Sequence, residues 1–289
     1  MKSFFFVKMS GAGNDFIMFD KNKNPGLLLN SDSIKKLCDR RNGIGADGVI
    51  TISGSDNFDF VMEYFNADGS TGSLCGNGAR CAIKFAESIN RVQNKKANFL
   101  SNGVPYSGEI LNENKVKFYF GEPKDFKFNF KVKAGGQLIN ANYVNTGSPH
   151  VVIKIQEVLK DPKHLNSGYT NINELPVTKI GKEIRNLPEF TPGGTNVNFI
   201  DIQKDKVFIR TYERGVENET LACGTGNAAA AIIANKIAEI VSPVHLITYG
   251  GDELIVNFDG QGENINDLTL TGPVKTVFAG EIHSTNFLN

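Results

Sequence analysis

Net charge is the first thing this 289-residue sequence lacks, with 31 Lys and Arg set against 31 Asp and Glu. Nucleic acid and anionic membranes both demand a basic excess on one face, so neither is expected as the main partner. Long apolar runs are missing too: no window approaches the roughly 18 residues that a bilayer-spanning helix needs. The N-terminal run from Phe4 to Val7 is cut by Lys8, too short for the apolar core of an export signal. The expected compartment is therefore the cytoplasm. Cys38, Cys75, Cys81 and Cys223 should be reduced thiols there, not a disulfide framework. Histidine is sparse, at positions 150, 164, 245 and 283, with no pair at ligand spacing; Cys75 and Cys81 are also wrongly spaced, so no metal site is expected. GAGND, near the start, lacks both the GxGxxG spacing and the parallel βαβ unit of a dinucleotide site. CGTGN lacks the Gly-Lys-Ser/Thr of a P-loop.

What the chain does have is punctuated, strand-like sequence. Runs at 4–7, 16–19, 58–64, 115–120, 151–155, 197–202, 206–212, 254–258 and 274–278 carry apolar residues, many alternating with polar ones. That period suits antiparallel sheet with one buried face. Helices are expected over 31–40, where Ser31 is the expected cap, and over 79–89, where the spacing is amphipathic. A third, over 228–240, is apolar nearly all round and so expected to be buried on most sides.

One pattern occurs twice. Phe60–Tyr64 precedes Phe208–Tyr212 by 148 positions, and the same offset separates Leu-Cys75-Gly-Asn-Gly from Ala-Cys223-Gly-Thr-Gly. A strand ending in Tyr, a ten-residue loop, then Cys-Gly-x-Gly and a helix thus appear in each half. A fainter echo links GAGNDFI to GGTNVNFI. These echoes point to an internal duplication: an α+β chain of two pseudo-symmetric domains, each a curled, mostly antiparallel sheet around a central helix. Gly121 and Pro123 mark a boundary, giving an N-terminal domain from 1–122 and a C-terminal domain from 123–274.

A cysteine just ahead of a helix feels the positive end of the helix dipole and the unpaired N–H groups of the first turn. Thiol pKa values fall to about 3.5–7.5 in such places. The glycines at 76, 78, 224 and 226 clear space for those same N–H groups to hold a carboxylate or phosphate. Two activated thiols facing one another would suit inversion at carbon, where a base takes a proton from one face and an acid returns one to the other. Cys38 and Cys81, without such motifs, are expected to pack in the core. Asn14, Asn66 and Asn196 in or beside glycine-rich loops, Glu213-Arg214 at a strand end and His150 in a loop ahead of a strand are weaker candidates taken singly.

Together these blocks resemble the diaminopimelate epimerase family: KMxGAGNDF (8–16), GIGADG (43–48), FNADGS (65–70), CGNGARC (75–81), GxPH (147–150), NVNF (196–199), YERG (212–215), ACGTG (222–226) and LTGP (270–273). The resemblance implies a cofactor-independent and metal-independent epimerase that interconverts LL- and meso-diaminopimelate for lysine and peptidoglycan precursors. It implies Cys75 and Cys223 as the thiol/thiolate pair, with His150 and Glu213 tuning their proton affinity. Substrate would be held by Asn14, Asn66, Gly76, Asn77, Ser148, Asn196, Glu213, Arg214, Gly224 and Thr225. Ser148 stands where relatives often have Asn, and Gly48 where some have Gln. A C-terminal strand at 275–289 that joins the N-terminal domain is implied as well, and so is a homodimer. The competing readings are a proline or hydroxyproline racemase, disfavoured by Asn77 and the YERG block; a redox sensor using Cys75 and Cys223; and a non-catalytic dicarboxylate-binding module.

Overall fold

The computed structural model describes residues 2–72 and 74–284; of the strand expected at 275–289, residues 285–289 lie outside that range. The chain divides into two compact units, Met1–Tyr119 with Thr271–Asn289, and Phe120–Leu270.

The first unit runs β1 (Ser3–Gly11), β2 (Asn14–Asp20), α1 (Ser31–Cys38), β3 (Gly48–Ser53), β4 (Phe60–Asn66), α2 (Gly76–Ser88), β5 (Lys96–Ser101), β6 (Val104–Asn112) and β7 (Lys115–Tyr119). The second runs β8 (Lys124–Ala134), β9 (Gln137–Asn145), β10 (Pro149–Lys154), α3 (Val177–Arg185), β11 (Asn196–Gln203), β12 (Lys206–Glu213), β13 (Asn218–Thr220), α4 (Gly224–Ala238), β14 (Val244–Ile247), β15 (Glu253–Gln261) and β16 (Asn264–Pro273), which passes into the first unit at Thr271. The chain then continues there as β17 (Lys275–His283).

Strand pairing repeats between the units. In the first, the order is β17-β1-β2-β3-β4-β5-β6-β7, with only β2–β3 and β4–β5 parallel. In the second, β8-β9-β10-β11-β12-β14-β15 has only β10–β11 and β12–β14 parallel. The expected α+β, mostly antiparallel architecture is observed. Helix α2 packs on β1, β2, β3, β4, β6 and β7, and α4 on β9, β10, β11, β12, β14 and β15.

Side-chain chemistry explains these positions. Residues Ala228 to Ala234 of α4 are all buried, as their composition requires. α2 buries Ala79, Ala82, Ile83 and Ala86 and leaves Lys84 and Glu87 on its outer side. Under α2, the rings of Phe60 and Phe99 stack at 4.8 Å, aligned by the parallel pairing of β4 with β5. Helix α1 is capped by Asn30 and not by Ser31: the Asn30 side chain accepts from the Ser33 N–H, and the Ser33 hydroxyl accepts from the Asn30 N–H. That reciprocal pair satisfies two groups, whereas a cap at Ser31 would satisfy one.

Candidate functional site

Both helices of the repeated motif begin at the glycine after the cysteine, three or four residues before the apolar periodicity starts. Cys75 and Cys223 are therefore N-cap residues with extended backbones. Cys38 and Cys81 are core residues, as expected, and burial pushes both thiols up to about 12.

In the first unit the Gly78 N–H donates to Cys75 Sγ at 3.3 Å, so the helix start already engages the sulfur. The Asn77 amide donates to Asn14 Oδ1 (3.0 Å), and Asn14 donates to Asp47 Oδ2 (2.6 Å). Asp47 is in turn bound by Arg40, which also grips Asp15 alongside Lys8. Burial and then the neighbouring Asp15 charge raise the Asp47 pKa. For Asp15 burial acts in the same direction, but hydrogen bonds from Arg40 and Lys8 outweigh it and lower the pKa. Asn66 ends β4 opposite Gly48, its amide donating to Ser70 Oγ at 3.0 Å. A Cβ on Gly48 would come within 2.6 Å of the Tyr64 ring and 2.5 Å of the Phe65 carbonyl oxygen, so this chain has no room for a side chain there.

In the second unit Cys223 Sγ lies 3.5 Å from Thr225 Oγ1, which is 2.8 Å from His150 Nε2. His150 is in β10, not ahead of it, and is wholly buried. Burial first, then the Arg214 charge, drives its pKa down to about 3, against a hydrogen bond from Asn198. Asn196 makes a second cluster: its amide donates to Ser148 Oγ and to the Pro149 carbonyl, both at 2.9 Å, and its Oδ1 accepts from the Arg214 N–H. Glu213, at the end of β12, accepts from the Thr220 hydroxyl at 2.8 Å.

The Arg214 guanidinium lines a cavity of about 620 Å³ with Tyr143, Asn145, Phe190, Gly193 and Gly194. Among the described residues it has no ion-pair partner, while burial and then Arg185 lower its pKa. The planar guanidinium can pair with a carboxylate through two parallel hydrogen bonds. Asn198, Thr211, Thr146 and Asp47 were not singled out from sequence. Asn198 was within reach, since period two along β11 puts it on the same face as Asn196.

The glycines differ in how strictly they are required. A Cβ on Gly226 would come within 2.5 Å of Asn198 Oδ1 and 3.3 Å of Cys223 Sγ, whereas one on Gly78 meets the end of Ile50 at 3.0 Å. Gly226→Ala is therefore expected to reduce activity at least ten-fold more than Gly78→Ala, because a hydrogen-bonded amide yields less readily than an isoleucine methyl. Parallel kcat/KM and thermal melts check this; equal losses would refute it.

Among the described residues, no three His, Cys, Asp or Glu cluster to hold a metal, and no helix is long and apolar enough to cross a membrane. The family model for diaminopimelate epimerase matches residues 6–125 and 142–277. A Chlorobaculum tepidum protein named diaminopimelate epimerase is 39% identical over 277 residues, covering 95% of this chain and 99% of that one. Its namesake from Aquifex aeolicus is 37% identical over 96% of this chain and 97% of its own. Among solved structures, a probable proline racemase from Agrobacterium radiobacter superimposes with a TM-score of 0.70 at 12% identity, over 97% of this chain and 93% of that one. A Bacillus anthracis phenazine biosynthesis protein of the PhzF family gives 0.69 at 13%, over 98% of this chain and 100% of that one. At such identities these two structures speak to fold alone.

Proposed function

The chain belongs to the diaminopimelate epimerase family of isomerases, and from that premise we propose that it interconverts LL- and meso-diaminopimelate using the thiols of Cys75 and Cys223. One cysteine, as thiolate, takes the proton from Cα and becomes a thiol. The other, as thiol, gives its proton to the opposite face and becomes a thiolate. Each turnover thus leaves the pair in the reversed protonation state, ready for the reverse reaction or for exchange with solvent.

As the α-proton leaves, negative charge spreads from Cα into the carboxylate. The N–H groups at the starts of α2 and α4, beginning with Gly76-Asn77 and Gly224-Thr225, receive that charge, aided by the helix dipoles. Asn14, Asn66, Ser148, Asn196, Glu213 and Arg214 hold the rest of the substrate. His150 and Glu213 tune the thiols. No metal or pyridoxal takes part. The enzyme works as a cytoplasmic homodimer and feeds lysine and peptidoglycan precursor synthesis.

The observation that carries this reading is the repeated N-cap cysteine followed by Gly-x-Gly, once in each unit. The Arg214 guanidinium, which lines a cavity and has no ion-pair partner among the described residues, favours a substrate with a second carboxylate over proline. Incubation with LL-diaminopimelate under reducing conditions, with EDTA and hydroxylamine in parallel samples, tests both substrate and cofactor. Chiral chromatography should show meso product at the same rate in all samples. No meso product would overturn the substrate; loss of rate with hydroxylamine or EDTA would overturn the cofactor-free chemistry.

A further inference from the structure

The two units share a backbone plan but not a floor beneath their cysteines. At the 148-residue offset, Gly78 corresponds to Gly226, Asn77 to Thr225 and Ile50 to Asn198. Phe16 pairs with Gly48 in the parallel strands of the first unit as His150 pairs with Asn196 in the second. Below the start of α2 the neighbours are therefore Ile50 and Phe16. Below the start of α4 they are Asn198 and His150, joined by hydrogen bonds.

Those bonds have a direction. The Val151 carbonyl oxygen can only accept, so the Asn198 atom 3.0 Å from it is the amide nitrogen. Asn198 Oδ1 accepts from the Thr211 hydroxyl at 3.0 Å, which fixes the same orientation. The second amide hydrogen then meets His150 Nδ1, also at 3.0 Å, and makes that nitrogen an acceptor. A neutral imidazole with Nδ1 unprotonated carries its proton on Nε2. Nε2–H donates to Thr225 Oγ1, and the hydroxyl hydrogen of Thr225 is left to point at Cys223 Sγ.

We propose that Asn198 and Thr225 are positioning residues: Asn198 locks His150 in its Nε2–H tautomer, and Thr225 passes that orientation on as a hydrogen bond to the Cys223 thiolate. His150 then acts as a neutral donor and not as a base that removes the cysteine proton. Its burial and its pKa of about 3 agree with a ring that stays uncharged across the working range. Of the charged groups on the surrounding strands, Arg214 bears on both His150 and Cys223. Glu213 accepts from Thr220, Arg210 is paired with Glu219, and Asp201 is held by Gln156 and Gln203. The consequence is a pair whose thiolates are held differently: Cys223 by the Thr225 hydroxyl and the Arg214 charge, Cys75 by the Gly78 N–H. This inference rests on the two-thiol reading, but its test does not use turnover.

The test is iodoacetamide alkylation of the full-length protein across pH, resolved by peptide mass spectrometry so that Cys75 and Cys223 are followed in one sample. Cys38 and Cys81, buried with thiols near 12, serve as unreactive references. Thr225→Val should move the Cys223 midpoint up by about one pH unit, a hydrogen bond to a charged group being lost, while Cys75 is unmoved. Thr225→Ser should restore it. Asn198→Leu should move it in the same direction, and His150→Gln, whose amide can still donate to Thr225, should shift it less than His150→Leu. Nitrogen-15 NMR of labelled histidine should find His150 protonated at Nε2. An unshifted Cys223 in Thr225→Val, or a proton on Nδ1, would overturn the proposal. A protein that shows the shift but does not epimerise diaminopimelate would refute the substrate reading and leave this inference standing.

Discussion

Changing either Cys75 or Cys223 to serine is expected to lower epimerisation about 10²- to 10⁴-fold, the usual worth of a positioned acid or base. The two losses should not multiply, because the groups act as one device: once one partner is gone, inversion has no complete route, and removing the second costs little more. The double variant should therefore lie within about ten-fold of the weaker single variant. Cys38→Ala and Cys81→Ala provide the contrast, since both sulfurs sit in core packing and should affect melting more than rate. The pH profile of the parent should be bell-shaped, falling where both catalytic thiols are protonated and where both are ionised. His150 supplies neither limb: burial holds its pKa near 3, below the range in which the profile is measured. Parallel stopped assays of the single and double variants check the claim, and single variants that retain near-parental rates would refute it.

The second large effect is expected at Arg214. Its guanidinium is half buried, has no ion-pair partner among the described residues and faces the cavity beside Tyr143 and Phe190. A substrate carboxylate there would regain what burial takes from the cation. Arg214→Met should lower kcat/KM for diaminopimelate by about 10²-fold or more, from the loss of a charged hydrogen-bonded pair. Arg214→Lys should recover only part, since an ammonium offers no planar fork to a carboxylate. Discrimination against amino acids with a single carboxylate should collapse in Arg214→Met. If discrimination persisted while the rate fell, Arg214 would be a structural residue and not the receptor.

Repetition made much of this legible in the sequence. The Tyr64 and Tyr212 strand ends and the two Cys-Gly-x-Gly turns share one offset, and the observed strand order repeats in the same way, with parallel pairs at β2–β3 and β10–β11 and again at β4–β5 and β12–β14. The nine strand-like runs all overlap observed strands, the alternating ones because period two reports a half-buried face, and 16–19 and 151–155 as short apolar runs buried on both faces. Helix α3 was missed although Val177, Ile180 and Ile184 stand at helical spacing on one buried face, since its nine residues fill less than the window over which that period is read. β8 was missed although Phe126, Phe128, Phe130, Val132 and Ala134 alternate with polar residues, a period-two signal that the sequence did carry. Local chemistry was harder still to read. Asn30 displaced Ser31 as a cap through a reciprocal bond with Ser33, and His150 proved to be a buried strand residue because Asn198 and Thr225, 48 and 75 positions away, satisfy its ring. Such partners are set by the fold, not by spacing.

Whether two different thiols serve the two faces of Cα is decided by the hydrogen isotope found there in the first turnovers. LL-diaminopimelate carrying protium at Cα is incubated in D2O, and mass spectrometry follows substrate and product separately before ten percent conversion, about the range in which reversal is minor. Two thiols should give meso product that carries deuterium at the inverted centre, because the delivering thiol has exchanged with solvent, and remaining LL substrate that still carries protium. Meso product that keeps the original proton would mean that a single group removes and returns it, and the two-thiol account would be wrong.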